Sequence, residues 1–389
     1  MARARPQESE ALPEADRLEG FAHPRETSTL FGQDAGERVL AEAFAAGRMH
    51  HAWLLTGRRG IGKATLAYRL AKHALAKATE RAGGTLSLAI AAAATTNRQV
   101  LAQSHPGLLV VRRPYDPRSR RFATSIPVDE VRRLRPFLGL TGAQDGFRVV
   151  IVDSADELNG NAANALLKAL EEPPERTLFL LIASEPSRIL PTIRSRCQRL
   201  ELPPLGDLDL ERALRAAFAA TGATPPRVGL AQLQQLANGS VRAALQLAGN
   251  GGLELFDRIA GMFAALPEVD WPATHALLDQ LVAAGNEQRL EAFYDLFLGQ
   301  LAALVRAGAR QQGEANLQAL ARRLIGPGRL PAWAALWQAV LGERNEAARL
   351  NLDRKATLLA ALVGLESLAR GASDPATRSG WHSLRIHDS

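Results

Sequence analysis

Four groups of residues have the types and spacing for chemistry on a phosphate ester. The first is GRRGIGKAT, Gly57 to Thr65. Gly57, Gly60 and Gly62 permit a tight turn whose N–H groups face an anion, and Lys63 adds a point charge. In such loops the residue after the lysine carries a hydroxyl that ligates magnesium, but here it is Ala64. Thr65 lies about 100° further round a helix and does not simply replace it. The second is VVIVD, an apolar run ending on Asp153, a carboxylate suited to holding magnesium. The next position, where a glutamate would activate water, is Ser154, a poor base at neutral pH. Asp156 and Glu157 follow too far along for that role and are expected to open a helix. Phosphate binding therefore fits, while metal placement and water activation are both impaired. The bland alternative is a glycine-rich strand-to-helix turn with no ligand.

The third group is Ser195 to Cys197, after a run that ends at Ala183. Arg196 there could stabilise charge on a phosphoryl group transferring in a neighbouring subunit; a surface salt bridge is the plainer reading. Cys197 reads as a small buried hydrophobe. The fourth is GSVRAAL, where Arg242 could reach a nucleotide or simply be a solvated helix residue. His50 and His51 have no Cys, Asp or Glu at ligand spacing, so local structure is expected rather than a metal.

Elements that place these groups are legible around them. Ala52–Thr56, His105–Arg113, Phe147–Asp153, TLFLLIAS and QRLEL read as strands. NAANALLKALEE reads as a helix stopped by Pro173 and Pro174. IPVDEVRRLRPFLGL keeps helical spacing at Val131, Leu134 and Leu138, with acidic residues early and arginines late. Strand, glycine loop, helix, then strand, carboxylate, helix, strand describes an α/β parallel sheet with chemistry at the carboxyl ends of its strands.

The chain has 389 residues, 47% hydrophobic, enough for more than one core. Lys plus Arg number 47 and Asp plus Glu 40, a net charge of +7, compatible with acidic partners and equally with an Arg-rich composition. One cysteine excludes a disulfide framework and a thiolate cluster and fits a reducing compartment. The apolar window Leu86–Ala94 is too short to span a membrane. The expectation is a soluble, cytoplasmic protein without membrane contact. Residues 1–26 read as a flexible leader, 27–204 as the α/β domain, 205–250 as a small helical domain, 251–370 as an all-helical domain and 371–389 as a polar tail. TGATPP and Gly249–Gly252 read as breaks. Arg112, Arg113, Arg118, Arg120 and Arg121 form a basic loop with phosphate-binding character; its few aromatics, Tyr115 and Phe122, argue against sequence-specific strand recognition.

GRMHHAWLLTGRRGIGKATLAYRLAK, the stretch NALLKALEEPPE through SRC, and GSVRAALQLAG together resemble the bacterial clamp-loader family of AAA+ proteins, over roughly residues 27–250. The resemblance implies a RecA-like AAA+ domain, a helical lid and a helical collar that closes a hetero-pentamer. Ala64 and Ser154, with the basic insert, resemble the delta-prime branch, a stator offering Arg196 to an adjacent gamma/tau ATPase. Gamma/tau and delta subunits, the sliding clamp and primer-template DNA are then the expected partners. ATP or ADP is expected weakly at Gly57, Gly60, Gly62, Lys63, Thr65, Asp153 and Arg242, with magnesium impaired. Family members often carry a four-cysteine zinc module; residues 79–105 contain no cysteine, so no zinc is expected, and no residue is assigned as a metal ligand. The rival expectation is an active gamma/tau-type ATPase using Thr65 and Asp156 in shifted roles.

Overall fold

The computed structural model describes residues 13–18, 20–82, 84, 86–139, 146–222, 237–248, 251–283, 285–310, 315–350 and 352–372. The chain divides into two units, Met1–Leu245 and Gln246–Ser389.

The first unit is built on a five-stranded sheet, β1 (Ala52–Thr56), β2 (Leu108–Val111), β5 (Arg148–Val152), β6 (Thr177–Ala183) and β7 (Gln198–Glu201), in the order β2–β5–β6–β1–β7. All four pairings are parallel. β6 is buried at every position and β1 likewise, as expected of central strands covered on both faces. Helices α1 (Asp34–Ala45), α2 (Lys63–Leu75), α3 (Thr95–Leu101), α4 (Val128–Arg132), α5 (Leu134–Leu138), α6 (Gly160–Glu171) and α7 (Pro191–Arg194) accompany the strands. On one face, Leu54, Val150, Phe179 and Leu181 pack with Leu134, Leu166 and Ile193. Cys197 packs at the edge of this core, and burial pushes its thiol up to about 11. α6 begins where Asn159 accepts a hydrogen bond from the Ala162 N–H at 2.8 Å. The α/β class with parallel strands is as expected.

α8 (Asp207–Thr221) and the first half of α9 (Val241–Ala248) belong to this unit as well. The TGATPP break beyond Gly222, Gly249 with Asn250, residues 1–12 of the leader and 373–389 of the tail lie outside the described residues. Expected to be flexible, the leader is instead packed over residues 13–18 and 20–26: His23 is fully buried and Arg25 and Leu18 nearly so. Ion pairs that join distant parts of the chain hold it, and local composition does not reveal such partners.

The basic loop is a two-stranded hairpin, β3 (Tyr115–Asp116) against β4 (Arg121–Phe122), with Tyr115 and Phe122 edge to face at 5.2 Å. The second unit is helical among its described residues: α10 (Gly252–Ala265), α11 (Trp271–Val282), α12 (Glu287–Arg310), α13 (Ala315–Leu324), α14 (Leu330–Leu350) and α15 (Arg354–Ala369). Phe263, Phe293, Phe297 and Trp333 centre its core. No helix among the described residues is long and apolar enough to cross a membrane.

Candidate functional site

The loop between β1 and α2 is shaped by positive backbone angles, φ +135° at Gly57, +79° at Gly60 and +103° at Gly62. A side chain at Gly57 would stand 2.5 Å from the Leu202 carbonyl oxygen, and one at Gly60 would stand 2.3 Å from Arg242 Cβ. The second approach is an inter-element contact: the Val241 N–H donates to the Gly60 carbonyl at 2.9 Å, and the Ser240 hydroxyl donates to the Arg59 carbonyl at 2.8 Å. Arg242 is thereby brought to the loop.

Lys63 opens α2 and is almost fully buried. Its ammonium donates to the Gly57 and Arg58 carbonyls at 2.6 Å each and to the Ser184 hydroxyl at 3.1 Å. Burial lowers its pKa to about 8, against the opposing pull of Asp156 and Asp153. Ser184 directly follows β6 and was missed by the sequence reading. Its signal was a hydroxyl closing an apolar strand at the carboxyl edge.

Asp153 follows β5, with its N–H bonded to the Val111 carbonyl at 2.9 Å, and its carboxyl is buried. Burial and the nearby Asp16 carboxylate push its pKa well above the usual carboxylate range. Ser154 sits at φ +63°, a left-handed conformation uncommon for a residue with a side chain. Asp156 does not open a helix as expected. It lies in a short 3-10 turn, and its Oδ2 accepts the Ser184 and Glu185 N–H groups at 3.1 and 2.8 Å.

A cavity of about 340 Å³ joins these parts, within the roughly 300–1,000 Å³ span of small-molecule sites. Gly60, Gly62, Lys63, Ala64, Thr65, Asp153, Ser154, Ser184 and Arg242 line it. So do Asp16, Phe21 and Phe31 from ahead of β1, and Leu205, Ala216 and Leu245 from the region after β7. Gly57, Gly60, Gly62 and Lys63 could hold phosphate oxygens, and Asp153 and Thr65 could offer oxygens to a cation; Ala64 offers a methyl group.

Arg196 is placed apart from this cavity, just after α7. Its guanidinium pairs with Glu171 at 2.8 Å and donates to the Thr192 carbonyl at 2.9 Å while staying partly exposed. Of the basic loop, Arg112 and Arg113 are not available as expected. Arg112 is paired with Asp16 at 2.9 Å and Glu14 at 2.6 Å, and Arg113 with Glu157 at 2.7 Å. Arg118, Arg120 and Arg121 are exposed near the hairpin turn. His50 and His51 stack on each other at 4.4 Å, and His50 bonds the backbone of Ala52, a local structural role.

Comparison with known proteins places this arrangement in a lineage. Residues 32–206 match the family described as DNA polymerase III, delta subunit. The chain is 38% identical over 203 residues to DNA polymerase III subunit delta' of Pseudomonas aeruginosa, covering 52% of this chain and 56% of the relative. It is 30% identical over 224 residues to subunit gamma of Buchnera aphidicola, covering 58% of each chain. It is also 30% identical over 365 residues to subunit gamma/tau of Mycobacterium tuberculosis, covering 83% of this chain and 58% of the relative. The matched part thus spans less than two thirds of the length of these relatives. On the strength of residues 32–206 above all, the chain belongs to the DNA polymerase III clamp-loader family.

Proposed function

We propose that this chain is a delta-prime-type stator of the DNA polymerase III clamp loader. In this reading it joins gamma/tau and delta subunits in a hetero-pentamer that opens a sliding clamp and places it on primer-template DNA. Its cavity accepts ATP or ADP through Gly57, Gly60, Gly62 and Lys63, with Arg242 closing from the lid side. It does not turn ATP over. One observation carries the reading: two positions that metal-assisted hydrolysis requires are chemically silent, a methyl at Ala64 and a hydroxyl at Ser154, in an otherwise complete cavity. The donor set fits phosphate better than magnesium. Ala64 offers no oxygen to a cation, and Thr65 offers at most one neutral oxygen. Asp156, the nearest substitute carboxylate, is engaged by two backbone N–H groups.

Arg196 acts on the ATP site of an adjacent gamma/tau subunit. Its tie to Glu171 joins two partly exposed groups, a kind of pair worth about 0–1 kcal/mol, so releasing the guanidinium costs little beside the gain at a transferring phosphoryl group. The second reading, an active gamma/tau-type ATPase, draws support from the gamma and gamma/tau likenesses and from Thr65 in the cavity wall.

The experiment is steady-state ATP hydrolysis by the isolated chain and by the reconstituted complex. The stator reading expects a silent isolated chain and a loss of roughly a hundredfold or more in the complex with Arg196→Ala. Brisk, magnesium-dependent turnover by the isolated chain that disappears with Lys63→Ala would install the second reading instead.

A further inference from the structure

Gln33 is 1% exposed and stands at the N-cap of α1, yet its side chain does not cap that helix. Its Nε2 donates instead to the Ile61 carbonyl at 3.0 Å and to the Pro203 carbonyl at 2.9 Å, residues 28 and 170 positions away. Two carbonyl acceptors fix which end of the carboxamide carries the nitrogen. Its Oε1 is buried with no hydrogen-bond partner among the described residues. An unpaired buried acceptor costs free energy, so the side chain contributes through its two donors.

Ile61 lies inside the glycine-rich turn, and Pro203 lies on the passage from β7 to α8. That passage closes on the turn before α9. The Leu205 N–H donates to the Gly239 carbonyl at 3.0 Å, and a side chain at Gly239 would stand 2.6 Å from Pro204 Cβ. Ser240 and Val241 in turn hold the Arg59 and Gly60 carbonyls. Lys63 holds those of Gly57 and Arg58, and the Leu66 N–H holds that of Gly62 at 2.9 Å. With Gln33 on Ile61, every carbonyl from Gly57 to Gly62 has a donor. A trans peptide carries its N–H opposite its C=O. Holding the carbonyls of Arg59, Gly60 and Ile61 therefore fixes the N–H groups of Gly60, Ile61 and Gly62 in the other sense, and those three residues line the cavity.

We propose that Gln33 is a positioning residue of the phosphate cradle: it fixes the Ile61–Gly62 peptide from behind and ties the cradle's shape to the passage at Pro203–Leu205. This rests on reading Gly57–Lys63 as a phosphate cradle. An anion that accepts from the Gly62 N–H polarises the same peptide whose carbonyl Gln33 holds, so the bond behind strengthens as the cradle fills. Without that donor the peptide must be ordered at the moment of binding, which lowers affinity.

The test is calorimetric titration of the full chain with pyrophosphate and with ADP, without added magnesium, for wild type, Gln33→Met and Lys63→Ala. Urea unfolding and amide exchange are followed alongside. Gln33→Met keeps the length of the side chain and removes both donors. It should weaken both ligands by the same factor, about tenfold, since the loss is in the part they share. Exchange in the free variant should quicken at Ile61 and Gly62 while β1 and β6 keep their protection. In wild type, pyrophosphate should slow exchange at Leu205 and Val241, a readout that stands even if the variant misfolds. A folded Gln33→Met that loses stability but keeps wild-type affinity for pyrophosphate would make the residue merely structural and overturn the proposal. Unchanged exchange at Leu205 where pyrophosphate binds wild type would do the same, and either result leaves the cradle intact. If pyrophosphate and ADP bind neither wild type nor Lys63→Ala, the cradle falls and the proposal with it.

Discussion

The turn at Gly57–Lys63 and the turn at Asp153–Asp156 face the same cavity, yet different forces hold them. Each glycine of the first has a reason rooted in the fold: Gly57 clears the Leu202 carbonyl, Gly60 clears Arg242, and Gly62 holds φ +103°. Even Lys63 is fully satisfied by carbonyls and a hydroxyl of its own unit. In the second turn, Asp156 has become a backbone clamp and Ser154 occupies a left-handed position at some cost. The lesson is that a glycine-rich loop can persist for packing alone, so its presence does not report catalysis. The residue after the β5 carboxylate is Ser154, and its identity is the one that bears on chemistry.

That comparison can be broken at several points. The largest effect is expected from Gly60→Val, which puts a branched side chain at positive φ against Arg242 and should cost about 3 kcal/mol in urea unfolding. A loss under about 1 kcal/mol would mean that contact with α9 does not hold the loop. Next is Asp156→Ala, which strips the acceptor from two N–H groups between β5 and β6 and should cost about 2 kcal/mol. An unchanged midpoint would return Asp156 to the pool of candidate catalytic groups. Ser154→Gly works in the opposite sense, relieving the left-handed residue, and should raise stability by about 0.5–1 kcal/mol. A loss instead would show that the serine hydroxyl is needed there.

A different measurement sharpens the contrast through pH. Lys63 titrates near about 8 when folded, against its ordinary 10.5. Between those values the unfolded chain holds a proton that the folded chain has released, so stability from this group rises with pH across that window. Below about 8 the burial penalty is felt in full. Lys72, also lowered to about 8, contributes in the same sense. Lys63→Met should flatten part of the rise; an identical pH profile would mean that the ammonium is not confined as described.

Much of this was readable from the chain. β1, β2, β5 and β6 each announce themselves as apolar runs, whereas β7 is polar but for Leu200, and the loop declares itself by its glycines and lysine. Arg242 was found by a motif, and contact with Gly60 explains its position. What escaped depends on partners distant in sequence. Asp16 and Glu14 sit in a charged, proline-bearing stretch that reads as unstructured until Arg112, Arg25 and His23 close on them. Asp156 resembles a helix-opening acid until the Ser184 turn arrives beside it. Arg112 and Arg113 count as free positive charge in a composition, whereas both are neutralised by carboxylates.

The ribbon formed by β3 and β4 inherits a mechanical property from those last two residues. Its roots, Arg112 and Arg113, grip Asp16 and Glu157, while Arg118 and Arg120 sit out at its turn. The ribbon is therefore a lever whose short arm rests on acids bordering the strand ends. A pull on the outer arginines would load that arm, so the ribbon and the acids at the strand ends are mechanically joined through a pair of guanidiniums.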